Sequence, residues 1–265
     1  MLVECGGKRM LVDGGGSASP FFDCGKSILA PALTYGRLPH LDAVFVSHTD
    51  VDHARGLRWI LEHFSVDAMY WSQHSAQQSE HGEGLAIKSI AEKKRVPVRI
   101  LSAGEAVELP GGVSLETLWP PQDEHSVQRL SVNDASLVLR LVCKGHGLAL
   151  LCGDVKRTAL GRLLRSGADL SAEALVLPHH GASSSFFPEF YSAVRPELAV
   201  ASAGSFNQYG FPAEKVRSEL GRKKIPLFST GEYGSLRMDW QMVHAPRPED
   251  YGAKRRTLTW PSRRP

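Results

Sequence analysis

Short apolar runs broken by glycine, proline and charge set the pattern of this chain. Leu2-Val3-Glu4-Cys5 and Arg9-Met10-Leu11-Val12-Asp13 flank Gly6-Gly7 and predict a β-hairpin. Asp42-Ala43-Val44-Phe45-Val46-Ser47 holds a run unbroken by polar residues within it and predicts a buried strand over 42–47. Leu57, Ile60, Leu61 and Phe64 recur at helical spacing and predict a helix over 55–64. Further helices are expected over 28–35, despite Pro31, and over 84–95, with a strand over 66–71 between them.

The second half predicts strands over 107–109 and 113–118, then a polar loop over 120–132. A hairpin over 136–143 and 148–152 turns at Lys144-Gly145-His146-Gly147. Helices follow over 156–165, 188–194 and 212–222, the last with Pro212 at its first position, where a missing N–H costs nothing. Strands over 174–177, 198–202, 226–229 and 235–240 complete the pattern. Strand-rich and helical segments alternate without a repeat or a linker, so one α/β (α+β) domain of two sheets with outer helices is expected. It spans 1–240, and 241–265 is a basic, proline-containing tail.

Composition narrows the classes. The 265 residues are 42% hydrophobic and 22% charged, enough for a sizeable core and unlike a disordered chain, a collagen or a coiled coil. The net charge is only +3, which excludes a strongly basic nucleic-acid coat but not a local patch. No stretch reaches the roughly 18 apolar residues of a membrane span, and the first residues carry no signal-peptide pattern. Cys5, Cys24, Cys143 and Cys152 form no C-x-x-C pair and read as thiols, although three disulfide connectivities stay open.

The chemistry concentrates at strand ends. His48-Thr49-Asp50-Val51-Asp52-His53 places four candidate metal ligands between a buried strand and a helix. Burying so many ionisable groups without a cation is costly. Asp154 leaves the run Leu150-Leu151-Cys152-Gly153, His179-His180-Gly181 leaves Leu175-Val176-Leu177-Pro178, and Asn133-Asp134 precedes the strand at Ser136. Singly, each has a plain structural role; Asp154, for one, suits a helix N-cap. No P-loop, G-x-G-x-x-G or G-x-S-x-G signature is present.

In this order the blocks Leu11-Val12-Asp13-Gly14-Gly15, His48-x-Asp50-x-Asp52-His53, Gly153-Asp154 and His179-His180-Gly181 resemble the metallo-β-lactamase superfamily. Phe22-Asp23-x-Gly25, Leu41-Asp42-Ala43-Val44, Asn133-Asp134-x-Ser136-Leu137-Val138-Leu139 and Asn207-x-Tyr209-Gly210-x-Pro212 resemble, within it, the C-terminal domain of ComEC-type DNA-uptake proteins. The resemblance implies an αββα sandwich of two mixed sheets with a dinuclear metal site at one edge. His48 and Asp50 would serve a first divalent ion, Asp52 and His53 a second, with Asp154 bridging. His179 or His180, with His180 favoured, would complete the second site. Asp13 would hold the His/Asp loop. Asp52, Asp154 and His180 are the residues to which catalysis falls.

Three departures from the family pattern bear on activity. Asp50 stands where the superfamily's second histidine is usual. A third histidine is missing, with Asn133 or Asp134 near its place, which leaves the first metal site weak or empty. Phe211 stands where the family shows histidine. The family's opening strand, ahead of Leu2, is also absent.

The resemblance further implies a metal-dependent hydrolase in which activated hydroxide attacks a phosphodiester of DNA, with Mn²⁺ or Zn²⁺ as cofactor. Ser183, Ser184, Ser185 and Asn207 are candidate phosphate contacts. Arg55, Arg58, Lys156 and Arg157, and in the tail Lys254-Arg255-Arg256, Trp260 and Arg263-Arg264, are candidate DNA contacts. Single-stranded DNA is the expected substrate and a membrane DNA channel the expected partner; neither oligomeric state nor location is legible. Two other readings stand beside this one: an ester or lactone hydrolase on the same fold, and a degenerate module that binds DNA or a partner without turnover.

Overall fold

The first hairpin pairs β1 (Leu2–Cys5) with β2 (Lys8–Val12), and Gly6 and Gly7 both take the positive φ that its tight turn requires. The structure is a computed structural model that describes residues 1–19, 21–77 and 82–240. β3 (His40–Leu41) and β5 (Ser65–Val66) form a small parallel pair. β4 (Ala43–Val46), β6 (Met69–Ser72) and β7 (Val98–Leu101) extend the hairpin in parallel, giving a sheet ordered β1-β2-β4-β6-β7.

The second sheet begins as an antiparallel meander of β8 (Ala106–Leu109), β9 (Val113–Trp119), β10 (Val138–Cys143) and β11 (His146–Leu151). It continues in parallel through β12 (Ala174–Val176), β13 (Leu198–Ala201) and β14 (Leu227–Ser229). The helices are α1 (Ala30–Thr34), α2 (Val51–His63), α3 (Gln73–Gln77), α4 (Gly82–Lys94) and α5 (Glu124–Gln128), followed by α6 (Arg157–Arg165), α7 (Pro188–Val194), α8 (Glu214–Arg222) and α9 (Thr230–Tyr233).

Period-two alternation explains the layers. Met10, Val12, Ala43 and Phe45 point between the sheets and meet Leu139, Leu141, Ala149, Leu151, Leu198 and Val200 from the other side. Their neighbours Leu11, Val44 and Val46 face outward onto Leu57, Ile60 and Leu61 of α2 and Ile87 and Ala91 of α4. Leu150, Leu175 and Ala199 do the same beneath α6, α7 and α8. Both faces of the central strands are covered, so their sequences read as continuous apolar runs. The result is the αββα sandwich of two mixed sheets.

Several local expectations need correcting. Residues 235–240 are not a strand: Leu236, Met238 and Trp240 pack on the core, but none pairs in a ladder. Pro212 follows a cis peptide, and α8 begins only at Glu214. The polar loop 120–132 contains α5, capped by the Asp123 carboxylate on the Ser126 amide. Lys156, not Asp154, occupies the N-cap of α6. The strand β7 was not anticipated, because three of its four residues are exposed. The tail 241–265 lies outside the described residues. Among the described residues, no helix is long and apolar enough to cross a membrane.

Glycines let the loop after β2 meet α2 backbone to backbone. Gly14 N–H donates to His53 O at 2.7 Å and Gly56 N–H to Gly15 O at 2.9 Å. A Cβ on Gly56 would lie 2.1 Å from Gly14 O, with backbone on both sides and no room to yield. Gly56→Ala is therefore expected to lower unfolding free energy in urea by about 1–3 kcal/mol. Gly221→Ala in α8, where a Cβ meets open space, is expected to raise it by up to about 1 kcal/mol. Equal urea midpoints for the two variants would refute this close-packing account.

Candidate metal centre

The site lies where strands of both sheets end at one edge of the sandwich. Ser47 and His48 follow β4, Asp13 follows β2, Gly153 and Asp154 follow β11, and His179 and His180 follow β12. Leu137 N–H donates to Ser47 O and ties the two sheets together here, while the Asp154 amide to Ser136 Oγ and His179 N–H to Gly153 O join the strand ends of the second sheet. Asp50 precedes the first turn of α2, but its carboxylate makes no capping bond; one oxygen lies 3.6 Å from His48 Nε2 instead. The capping role that its position offers is forgone, and the side chain faces the cluster.

Hydrogen bonds behind the imidazoles fix which nitrogen faces inward. Asp13 Oδ1 accepts the Ser47 amide and Asp13 Oδ2 accepts the Ser47 hydroxyl, each at 2.7 Å. The Ser47 hydroxyl, its proton committed, accepts from His48 Nδ1 at 3.0 Å. Asp13 Oδ2 also accepts His53 Nδ1–H at 2.7 Å. His180 Nδ1–H donates to the Ser202 carbonyl at 2.7 Å. His179 Nδ1 pairs with Ser184 Oγ at 3.0 Å. With Nδ1 engaged behind them, His48, His53 and His180 turn their Nε2 atoms to the interior, the arrangement that metal-ligating histidines share.

Asp154 stands between two groups of these nitrogens. Its Oδ1 lies 3.1 Å from His53 Nε2 and 3.6 Å from His180 Nε2. Its Oδ2 lies 3.6 Å from His179 Nε2 and 3.9 Å from His48 Nε2. On the first side, Asp52 Oδ2 comes within 3.4 Å of His180 Nε2. Asp52, His53, Asp154 and His180 each offer a donor atom, and these atoms all lie within 4.8 Å of one another.

Two observations test whether a divalent cation fits. His48 Nε2 and Asp154 Oδ1 are buried without a hydrogen-bond partner, a costly condition that a cation would relieve. His53 Nε2 and His180 Nε2 are 3.2 Å apart, and two lone pairs that close repel unless a proton or a cation separates them. The donor set of imidazoles and carboxylates suits a divalent metal ion. The residues fit the group.

Electrostatics agree with this crowding. Burial opposes charge on His53, yet Asp13 and Asp154 raise its affinity for a proton well above the usual. Burial likewise opposes charge on Asp154, and the facing imidazoles overcome it and hold the carboxyl below its ordinary range. His180 lowers Asp52, chiefly by hydrogen bonding. Burial lowers His179. The backbone is strained at the same place: Asp13, His179 and His180 all have φ between 50° and 57°.

The remaining candidates are placed as follows. The Asp134 carboxylate accepts from the Lys156 amide and from Ser131 Oγ, which fastens a loop, and the Asn133 carbonyl caps the turn before Ser136. Ser183 is exposed, and the Ser185 hydroxyl is buried on Pro178 O and Ala182 O. Asn207 spends its amide within its own loop. Arg55 and Arg58 both pair with the buried Glu83, and Arg157 lies over the Phe187 ring. Lys254, Arg255, Arg256, Trp260, Arg263 and Arg264 fall outside the described residues. The parts played by Ser47, Ser136 and the Ser202 carbonyl carry no signal in the sequence, because serine beside a strand end is commonplace.

Comparison with known proteins adds to this geometry. Residues 18–178 match the family model described as "Beta-lactamase superfamily domain". The chain is 26% identical over 238 residues to ComE operon protein 3 of Bacillus subtilis, covering 86% of this chain and 30% of that protein. It is 30% identical over 237 residues to competence protein ComA of Neisseria gonorrhoeae, covering 89% and 30% respectively. The chain thus spans about 30% of the length of these curated relatives. Among solved structures, Igni18, a metallo hydrolase of Ignicoccus hospitalis, superposes with a TM-score of 0.51 at 13% identity, covering 86% of this chain and 88% of that one.

Asp13→Asn separates the charge behind His53 from the shape of the loop, because asparagine tolerates the left-handed conformation found there. Its affinity for Zn²⁺ or Mn²⁺, measured by calorimetry, is expected to fall about 10–100-fold with the fold retained. Unchanged affinity would remove Asp13 from the metal centre.

Proposed function

The chain belongs to the beta-lactamase superfamily, and from that membership we propose that it is a metal-dependent phosphodiesterase that cleaves DNA during its uptake. The observation that carries the reading is Asp154, whose two oxygens face two different pairs of histidines. His53, His180, Asp52 and Asp154 Oδ1 would hold one divalent ion. His48, Asp50 and Asp154 Oδ2 would hold another, with His179 beside it. Mn²⁺ and Zn²⁺ both suit these donors. Bound there, divalent ions supply Lewis acidity, making water a stronger nucleophile and offsetting the charge of a phosphodiester.

The chain's own groups have distinct tasks in this scheme. Asp13 keeps the proton of His53 on Nδ1, and the Ser202 carbonyl keeps that of His180 on Nδ1. Asp154, nearly fully buried, stays ionised and faces both sets of donors. Asp52 has 57% of its side chain exposed, and in this reading it would take a proton from water and release it to solvent. Three carboxylates, Asp50, Asp52 and Asp154, leave two bound dications with about one net positive charge, which attracts an anionic ester.

Similarity to two competence-associated proteins supports DNA as the substrate class. Residues 1–240 act as the hydrolase domain in this reading, and a membrane DNA channel is its partner. Incubation with single-stranded DNA and Mn²⁺ is expected to give cleavage that chelator abolishes and that His53→Ala lowers by at least about 100-fold. Full metal loading without cleavage of DNA would overturn the phosphodiesterase reading. Turnover of carboxylic esters or lactones in its place would assign the site to small molecules, and DNA binding without turnover would make it a binding module.

A further inference from the structure

Beside the cluster stands a ladder of rings that the metal centre does not use. The Phe211 ring lies 6.1 Å from that of His180 and is tilted from it by only 18°. The Tyr209 ring continues the stack, 5.3 Å from Phe211 at 20°. Tyr209 is 69% exposed, and Phe206, in the same loop, is fully exposed. Asn207 Nδ2–H donates to the carbonyls of Gly204 and Phe211, and Asn207 Oδ1 accepts the Phe211 amide at 2.6 Å. Its side chain clasps both ends of the segment that presents Tyr209.

We propose that Tyr209 and Phe211 form a base-stacking platform, so that the substrate is a single strand whose base lies on Tyr209 while the adjoining phosphodiester reaches the His/Asp cluster. The inference rests on the phosphodiesterase reading and deepens it. An aromatic face accepts any base, because every base has a π-face, and such stacking is tolerant of sequence. Bases paired in a duplex are stacked on one another and closed to Tyr209, so the platform selects unpaired strands. Phe211, where the family resemblance places histidine, gives up a polar contact and extends an apolar wall from His180 to the solvent-facing ring. Asn207 is thereby a positioning residue for the platform rather than a phosphate contact.

The experiment measures binding and cleavage separately. Fluorescein-labelled oligo(dA) and a strand of the same length with abasic tetrahydrofuran units are titrated with metal-loaded protein, followed by anisotropy. Oligo(dA) is expected to bind about tenfold more tightly than the abasic strand. Tyr209→Leu is expected to bring both strands to similar affinity, while Tyr209→Trp keeps the preference. Asn207→Ala is expected to weaken the preference, and a metal-induced rise in melting temperature in each variant reports that the cluster still forms. In cleavage, the change is expected in KM for oligo(dA) and not in kcat. Equal affinity of the two strands for the unsubstituted protein would overturn the platform and leave the phosphodiesterase reading standing. Preference for oligo(dA) without cleavage would uphold the platform and sink the phosphodiesterase reading. Preference that survives Tyr209→Leu would place the base elsewhere and overturn the proposal.

Discussion

Asp13 accepts the amide and hydroxyl of Ser47 and the imidazole of His53, and so joins the end of β2, the end of β4 and the first turn of α2. Burial alone would push its proton affinity up; the imidazole partners outweigh that and keep it ionised. The carboxylate sets the tautomer of His53 directly and that of His48 through the Ser47 hydroxyl. It also occupies a left-handed backbone position, so its residue type is constrained twice, by charge and by φ. Remove the negative charge and both histidines lose the reason to point Nε2 inward.

The glycine contacts make that carboxylate effective. A loop held a few ångströms farther from α2 would leave His53 out of reach, and the loop can approach only because Gly14 and Gly56 carry no Cβ. On the other sheet, Gly153 has a φ of 50°, and a Cβ there would sit 2.7 Å from that of Ser136. Asp154 therefore enters the cluster from a turn that only glycine fits well. Both halves of the site depend on tight backbone passages beside a carboxylate, one per sheet.

Much of this was legible in the chain because ligand types fell immediately after buried strands, and buried strands announce themselves by unbroken apolar runs. What escaped notice shared a physical feature: the residues did not have the pattern that usually carries the element. The strand β7 has Val98, Arg99 and Ile100 exposed at the sheet's edge, so it lacks an alternating face. Residues 235–240 alternate well, but alternation reports which side chains are buried and not whether the backbone has a neighbour to pair with. Asp154 looked equally able to cap a helix, and only the backbone geometry showed Lys156 at that place. Which of the adjacent His179 and His180 faces Asp52 depends on two successive left-handed residues, a pair that local propensity does not announce.

At one edge of a sandwich whose interior is saturated with apolar contacts, strained backbone at Asp13, His179 and His180 meets unpaired buried atoms of His48 and Asp154. Left-handed conformations at three non-glycine residues each cost about 1–3 kcal/mol. The bare nitrogen of His48 and the unpartnered oxygen of Asp154 add to that cost. The three apolar layers beneath α2, α4, α6, α7 and α8, and between the sheets, offset it far from where it is incurred. This division explains why the site can be so poorly satisfied by protein atoms alone: the core holds the strand ends in place whether or not the cluster is content. A cation bound there would act on groups already positioned, and less of its interaction energy would go into folding the loops that carry the ligands.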